Sequence, residues 1–244
     1  MRTVIVLPTY NERENIGALL TAVRQMSAEI EVLVVDDDSP DGTADLAREL
    51  GRGLGGVAVL DRVVRVGLGS AYRAGFRRVL DEGYDVVISM DADMSHDPSV
   101  IPRMLEMLDG GADVVIGSRY VTGGGTTDWP VRRQLLSRWG NAYTRFILGL
   151  PTRDCTSGFR AYRATALSAI EPDSTAAEGY AFLTELVQRL TRHGYAIAET
   201  PIIFRDRTLG KSKMSGMIII ESMLLVTRWG IAGRVRRLRR LGRS

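Results

Sequence analysis

The chain has 244 residues, 45% of them hydrophobic and 25% charged. That is the mix of a soluble globular protein with enough apolar residue for one large domain, and it excludes fibrous, disulfide-rich and low-complexity classes. Cys155 is the only cysteine, so no internal disulfide can form and a reducing compartment is expected. The net charge of +3 is unevenly spread: from Lys211 onward there are 9 Lys/Arg against 1 Asp/Glu, which leaves a body of about −5 before a tail of about +8.

In chain order, "TVIVLP" reads as a strand entered at once, with no room for a signal peptide. "NERENIGALLTAVRQM" reads as an amphipathic helix and "EVLVVDD" as a second strand. "SPDGTADLAREL" holds a turn and a helix capped by Ser39 or Asp41. "VAVLDR" is a short strand, "GSAYRAGFRRVLDEG" a helix, "YDVVISMD" a strand, "PSVIPRMLEML" a helix and "ADVVIGSR" a strand. "GGGTTDWP" is a flexible loop and "VRRQLLSRWGNAYTRFILGL" a helix with an apolar face. "DCTSGFRAYR" is a short strand or turn, "AFLTELVQRLTRHG" a helix, "AIAETPIIF" a strand and "DRTLGKSKMSG" a basic loop. A last amphipathic helix is expected from about Met217 to Gly230, before an arginine-rich end. No apolar run reaches the 18 or so residues that a membrane-spanning helix needs, and Glu221 interrupts the best candidate.

Strands alternating with helices predict an α/β fold, with a mostly parallel sheet covered by helices on both faces. Ligands of such sheets bind beyond the strand carboxyl ends. Four polar clusters fall there: Pro8 to Glu12, Asp36 to Ser39, Asp91 to Asp93, and Gly117 to Arg119. One shared site explains all four.

Asp91 and Asp93 stand out within "VVISMDADMSHDP", because like charges this close repel where water is scarce. Shared coordination of Mg²⁺ or Mn²⁺ would relieve the repulsion. The alternative is that one Asp caps the helix starting near Pro98 while the other is merely exposed. Haloacid-dehalogenase-type phosphatases also place Asp-x-Asp after a strand, but after the first, and here three strands precede it. His96 reads as a neighbour of the motif rather than a ligand, His193 as a helix C-terminal residue and Cys155 as a packed side chain. Asp154 and Arg160 could form a structural ion pair, and Arg132 a solvated face residue.

The order "LPTYNERENI", "VVDDDSPDGT", "RVGLGSAY", "MDADMSH", "GSRY", "DCTSGFRAYR", "DRTLGKSK" closely resembles the dolichol-phosphate mannose synthase family, also called polyprenol monophosphomannose synthases. These are inverting glycosyltransferases of family 2 with a GT-A, Rossmann-like fold. The resemblance runs from about residue 3 to about residue 215. It implies a catalytic domain over 1–210 and, over 211–244, a basic loop, amphipathic helix and arginine-rich tail that contact a membrane surface or a partner. It further implies transfer of mannose from GDP-mannose to a polyprenyl monophosphate at the cytoplasmic face of a membrane, with a separate membrane-spanning partner possible.

On the residues, the resemblance implies that Pro8, Tyr10 and Glu12 contact the nucleoside, and that Val35 and Asp37 hold base and ribose. Asp91 and Asp93 would hold the metal on the diphosphate, with Ala92 and Ser95 lining the pocket. Arg119, Arg133, Ser137, Arg207 and Lys213 would gather the donor and acceptor phosphates. Gly67-Leu68-Gly69 would let the backbone approach the nucleotide. Glu185, nearest in place to the wider family's catalytic carboxylate, reads as structural. One departure is Asp38, where the family usually has Asn or Gly. A UDP-glucose-dependent enzyme acting on the same lipid, or a non-catalytic membrane-binding module, are the rival readings. Nucleic-acid binding is not expected, because the tail from Ile231 carries arginines and leucines but no aromatic residue.

Overall fold

The β-branched runs form strands β1 (Thr3–Thr9), β2 (Ile30–Asp36), β3 (Val57–Asp61), β4 (Val86–Ser89) and β5 (Val114–Ser118). Between them lie helices α1 (Arg13–Met26), α2 (Thr43–Leu54), α3 (Leu68–Asp81) and α4 (Ile101–Asp109). A computed structural model describes residues 1–63, 67–206 and 222–232. The second half contains β6 (Gly125–Thr127), α5 (Val131–Leu148), β7 (Arg160–Arg163), α6 (Ala164–Ala169), α7 (Gly179–His193), β8 (Ile197–Pro201) and β9 (Ile203–Arg205), then a helical run at 222–232.

Seven strands make one sheet in the order β3-β2-β1-β4-β7-β5-β8. β1 pairs in parallel with β2 and β4, β2 with β3, and β5 with β8. β7 is inserted between β4 and β5 and runs antiparallel to both, so the sheet is mixed at its centre. β6, within the segment expected to be a loop, pairs in parallel with β9 as a separate two-stranded ribbon.

Strand side chains alternate between two cores, as a period of two requires. Val4, Val6, Leu33, Val35 and Val87 meet α3, α6 and α7 on one face. Ile5, Leu7, Val32, Val34 and Ile88 meet α1, α2 and α4 on the other. α3 lies so close to the sheet that a Cβ on Gly75 would sit 2.6 Å from Val6 Cγ1 and 3.0 Å from Val35 Cγ2. The helix at 222–232 packs on the first core through Leu225 and Trp229, and the Tyr143 and Thr227 hydroxyls lie 2.7 Å apart. The rest of the expected last helix, Met217 to Glu221, lies outside the described residues, as does the arginine-rich tail. No helix among the described residues is long and apolar enough to cross a membrane.

α5 is amphipathic the wrong way round for a core helix. Its buried residues are Asn141 and Thr144, whereas Val131, Leu135, Trp139 and Phe146 are 53–77% exposed. The expected apolar face exists, and it points outward.

Candidate active site

Two local devices aim the strand ends. Asp36 accepts hydrogen bonds from the Thr9 hydroxyl at 2.7 Å and from the Ser39 N–H and hydroxyl at 2.8 and 2.7 Å, which ties the end of β1 to the turn after β2. The Asp41 carboxylate accepts the Thr43 N–H and hydroxyl at the start of α2. The N-cap itself is Gly42, so neither Ser39 nor Asp41 holds that position; Asp41 reaches the helix end from one residue before it, and Ser39 belongs to the strand-end knot. Asp97 accepts the Ser99 N–H before Pro98. Neither Asp91 nor Asp93 caps that helix, and the alternative reading of the pair falls away.

The main cleft is lined by Asp91, Asp93, Arg119, Arg133 and Ser137 among the expected residues. His96, Trp129, Asn141, Thr156, Phe204 and Asp206 join them. Asp93 is buried, and its Oδ1 accepts the Ser95 N–H at 3.1 Å. Asp91 keeps 36% of its side chain exposed, with His96 Nε2 3.3 Å from its Oδ2. On its other side Gly158 comes so near that a Cβ there would lie 3.0 Å from Asp91 Oδ1. The Tyr72 phenol is held protonated, its pKa pushed well up by burial and by the Asp91 charge beside it.

Arg119 is committed. Its Nε and Nη2 reach the two carboxylate oxygens of fully buried Asp154 at 2.7 and 2.8 Å, and Nη2 also reaches the Thr156 hydroxyl at 2.8 Å. Burial works against ionising Asp154, but the charge and hydrogen bonds of Arg119 outweigh it and hold the carboxyl below the usual range. This replaces the expected Asp154–Arg160 pair. Arg160 is fully buried and donates instead to the carbonyls of Ser157, Leu183 and Cys155.

Arg133 pairs with Asp206 at 2.6 Å, and its guanidinium lies 3.9 Å from the centre of the Trp129 ring. The Ser137 hydroxyl is 2.6 Å from that of Tyr120. Asn141 joins α5 to the 154–157 turn: its Oδ1 accepts the Cys155 N–H, and its Nδ2 donates to the Thr156 hydroxyl. Burial pushes the Cys155 thiol up to about 11, so it stays protonated and unreactive at neutral pH.

The expected nucleoside residues form a neighbouring group at the ends of β1 and β2. Pro8, Tyr10 and Glu12 are partly buried, and Glu12 accepts the Asn15 side-chain N–H at 2.9 Å. Asp37 is buried and ion-paired with Arg62, whose other nitrogen donates to Ser70. Val35 has its side chain in the core against Gly75, and Ala92 is buried. Ser95 is buried with no partner for its hydroxyl among the described residues. Asp38 is exposed at a positive φ of 59°.

Gly67 lies beside the expected nucleoside residues, its N–H donating to Asp37 Oδ2 at 3.4 Å, while Gly69 packs against the 177–178 segment. A Cβ on Gly69 would meet the Ala177 carbonyl oxygen at 2.8 Å and Glu178 Oε2 at 2.9 Å. Glu178 fills the amino end of α3, accepting the Ser70 N–H at 3.1 Å. Glu185 forms an ion pair with Arg189 and accepts the Ala177 N–H, outside the cleft that holds Asp91 and Asp93. Arg207 and Lys213 lie outside the described residues.

Sequence reasoning missed Trp129, Phe204 and Asp206. Two three-residue strands far apart in sequence bring them together, and no local periodicity marks such a pairing.

Residues 4–171 match the family described as Glycosyl transferase family 2. The chain is 46% identical over 239 residues to the polyprenol monophosphomannose synthase of Mycolicibacterium smegmatis, covering 98% of this chain and 90% of that one. It is 49% identical over 243 residues to the undecaprenyl-phosphate mannosyltransferase of Micrococcus luteus, covering 99% and 100%. Among solved structures, a mannosyltransferase from Pyrobaculum calidifontis in complex with GDP-Man and Mn²⁺ superposes with a TM-score of 0.65 at 18% identity, covering 96% of this chain and 64% of that one. Mannosyl-3-phosphoglycerate synthase from Rubrobacter xylanophilus gives 0.63 at 23% identity, covering 99% and 75%. At such identities these two carry the GT-A fold alone. The near full-length relatives carry more: the chain is a glycosyltransferase of family 2 and belongs to the polyprenol monophosphomannose synthases.

Proposed function

We propose that the protein transfers mannose from GDP-mannose to a polyprenyl monophosphate, with inversion at the sugar C1. The observation that carries the reading is one cleft holding the Asp91/Asp93 pair, two arginines and, along its wall, the inside-out helix α5.

The residues fit a divalent cation. Two carboxylates face the cleft, Gly158 leaves room that a side chain would fill, and the buried Ser95 Oγ has no hydrogen-bond partner among the described residues. Those residues contain no cluster of three or more His, Cys, Asp or Glu arranged to hold a metal. Mg²⁺ or Mn²⁺ held by Asp91 and Asp93 would thus complete its shell from phosphate oxygens and water, and would stabilise the departing diphosphate as a Lewis acid.

The acceptor phosphate is already anionic near neutral pH, so attack at C1 needs no general base. It needs cations that bring two anions together. Arg133 sits at the cleft wall with its guanidinium oriented by Asp206 and Trp129. Arg119 is fixed more rigidly by Asp154. Planar guanidinium groups suit phosphate oxygens. Leu136 and Trp139 line the same cleft, and Val131, Leu135 and Phe146 continue the apolar surface along α5. A lipid-linked acceptor can lay its chain there while its phosphate enters between the arginines. The helix at 222–232, which meets α5 through Thr227 and Gly230, carries exposed Leu224 and Ile231 of its own.

The test uses purified protein, a short polyprenyl phosphate, and labelled GDP-mannose or UDP-glucose. Expected is lipid-linked mannose from GDP-mannose, lost with chelator and in Asp91→Ala and Asp93→Ala, both of which stay folded. Faster glucose transfer would overturn the donor assignment, and full activity in the presence of chelator would overturn the metal assignment.

A further inference from the structure

His96 is 2% exposed in a slot between two rings, with centroid separations of 5.2 Å to Phe159 and 5.4 Å to Phe204. Neither of its nitrogens has a hydrogen-bond partner among the described residues. An apolar ring would fill this slot without leaving buried polar atoms unsatisfied, which is a costly arrangement. The nearby charge is that of Asp91, whose Oδ2 lies 3.3 Å from Nε2.

The segment bearing His96 is pinned on every side. Asp93 Oδ1 accepts the Ser95 N–H, the Ser95 carbonyl accepts the Arg205 N–H at 3.2 Å, and Asp97 accepts the Ser99 N–H. The imidazole is thus held in place, while Asp91 keeps about a third of its side chain in solvent, with Oδ2 toward His96 and Oδ1 toward Gly158. At 3.3 Å the Nε2 and Oδ2 atoms are close to hydrogen-bonding distance, though their present geometry is not that of a hydrogen bond.

We propose that His96 is a positioning residue: it donates from Nε2 to Asp91 and fixes which carboxylate oxygen is turned toward the cation. The proposal rests on the reading of Asp91 as a cation ligand. Ligands that are held by a hydrogen bond from behind lose about 10- to 100-fold in metal affinity when that partner is removed.

The experiment measures Mn²⁺ binding by electron paramagnetic resonance of the free ion, in the presence of GDP. It compares the wild-type chain with His96→Phe, which keeps the ring but no donor, His96→Gln, which keeps a donor, and Asp91→Ala. Thermal melts of all four proteins are recorded alongside. His96→Phe is expected to weaken Mn²⁺ about 10- to 100-fold, with its melt preserved, and His96→Gln to recover most of the loss. If His96→Phe melts early, His96→Met takes its place in the same comparison. Wild-type Mn²⁺ affinity in the donor-free variant, while Asp91→Ala binds none, overturns the role of His96 and leaves the cation reading intact. Equal weakening in the Phe and Gln variants assigns the loss to packing and also overturns it. Wild-type affinity in Asp91→Ala removes the cation reading itself.

Discussion

Arg119 and Arg133 look alike in the sequence and differ in what holds them. Arg133 is 29% exposed and pairs with a partly exposed Asp206, whereas Arg119 is 7% exposed and pairs with an Asp154 that is wholly buried. Charge-assisted contacts contribute roughly 1.5–3 kcal/mol, which is about a ten- to hundredfold change at ~1.4 kcal/mol per factor of ten. Arg133→Ala should therefore lower kcat/KM by about that factor with little change in melting temperature. Arg119→Ala should lose activity and stability together, because it leaves Asp154 buried without its counter-charge. Asp154→Asn isolates the structural share, and breaking a buried pair from one side costs roughly 3–5 kcal/mol. The sign with pH follows from the depressed carboxyl. The contribution is full above the ordinary carboxylate value of about 3.9 and is lost as pH falls through the lower folded value. Denaturant titrations from pH 7 downward should show the wild type losing its advantage over Asp154→Asn in that acid range.

At the scale of elements, the close seat of α3 gives a prediction of its own. Adding one methyl at Gly75 forces it against Val6 and Val35, and such overpacking costs roughly 1–3 kcal/mol. Gly75→Ala should lower the melting temperature measurably and leave the melt cooperative. The strand–helix alternation up to β5 was legible because buried parallel strands are apolar runs ending in polar clusters, and those clusters located Asp91, Asp93 and Arg119. Strand direction was not legible: "RAYR" carries no mark that β7 runs backwards between β4 and β5. Nor does an apolar stripe say which way it points. In α5 the same spacing that suggests a core helix belongs to a surface, and only the buried Asn141 and Thr144 reveal it. Side-chain commitments were equally hidden, since nothing local distinguishes Arg119 as the partner of Asp154 over Arg160.

For the whole molecule, the acidic body, the apolar face of α5 and the arginine-rich tail make a joint prediction about surfaces. Each tail arginine near anionic lipid contributes on the order of 1 kcal/mol, and there are 6 of them from Arg234 to Arg243. Apolar contact through α5 does not depend on salt in the same way. Co-sedimentation should show the full chain bound to anionic vesicles and released in part by salt. A chain ending at Gly233 should bind more weakly and with less salt dependence. Equal binding by both chains would remove the tail from membrane attachment, and Phe146→Asp tests the α5 contribution in the same assay.

The reversed strand at the centre of the sheet also governs how the protein comes into being. During synthesis, residues through α4 can complete the β3-β2-β1-β4 half, each strand finding a neighbour already made. β5 has none when it emerges; it meets the earlier half only through β7, which follows some forty residues later. Non-local pairing of this kind is slow because loop entropy is spent before contact rewards it. The same late segment brings Gly158 to Asp91 and Asp154 to Arg119. During synthesis, Asp91 and Arg119 therefore wait for residues made some forty positions after β5 before their surroundings are complete.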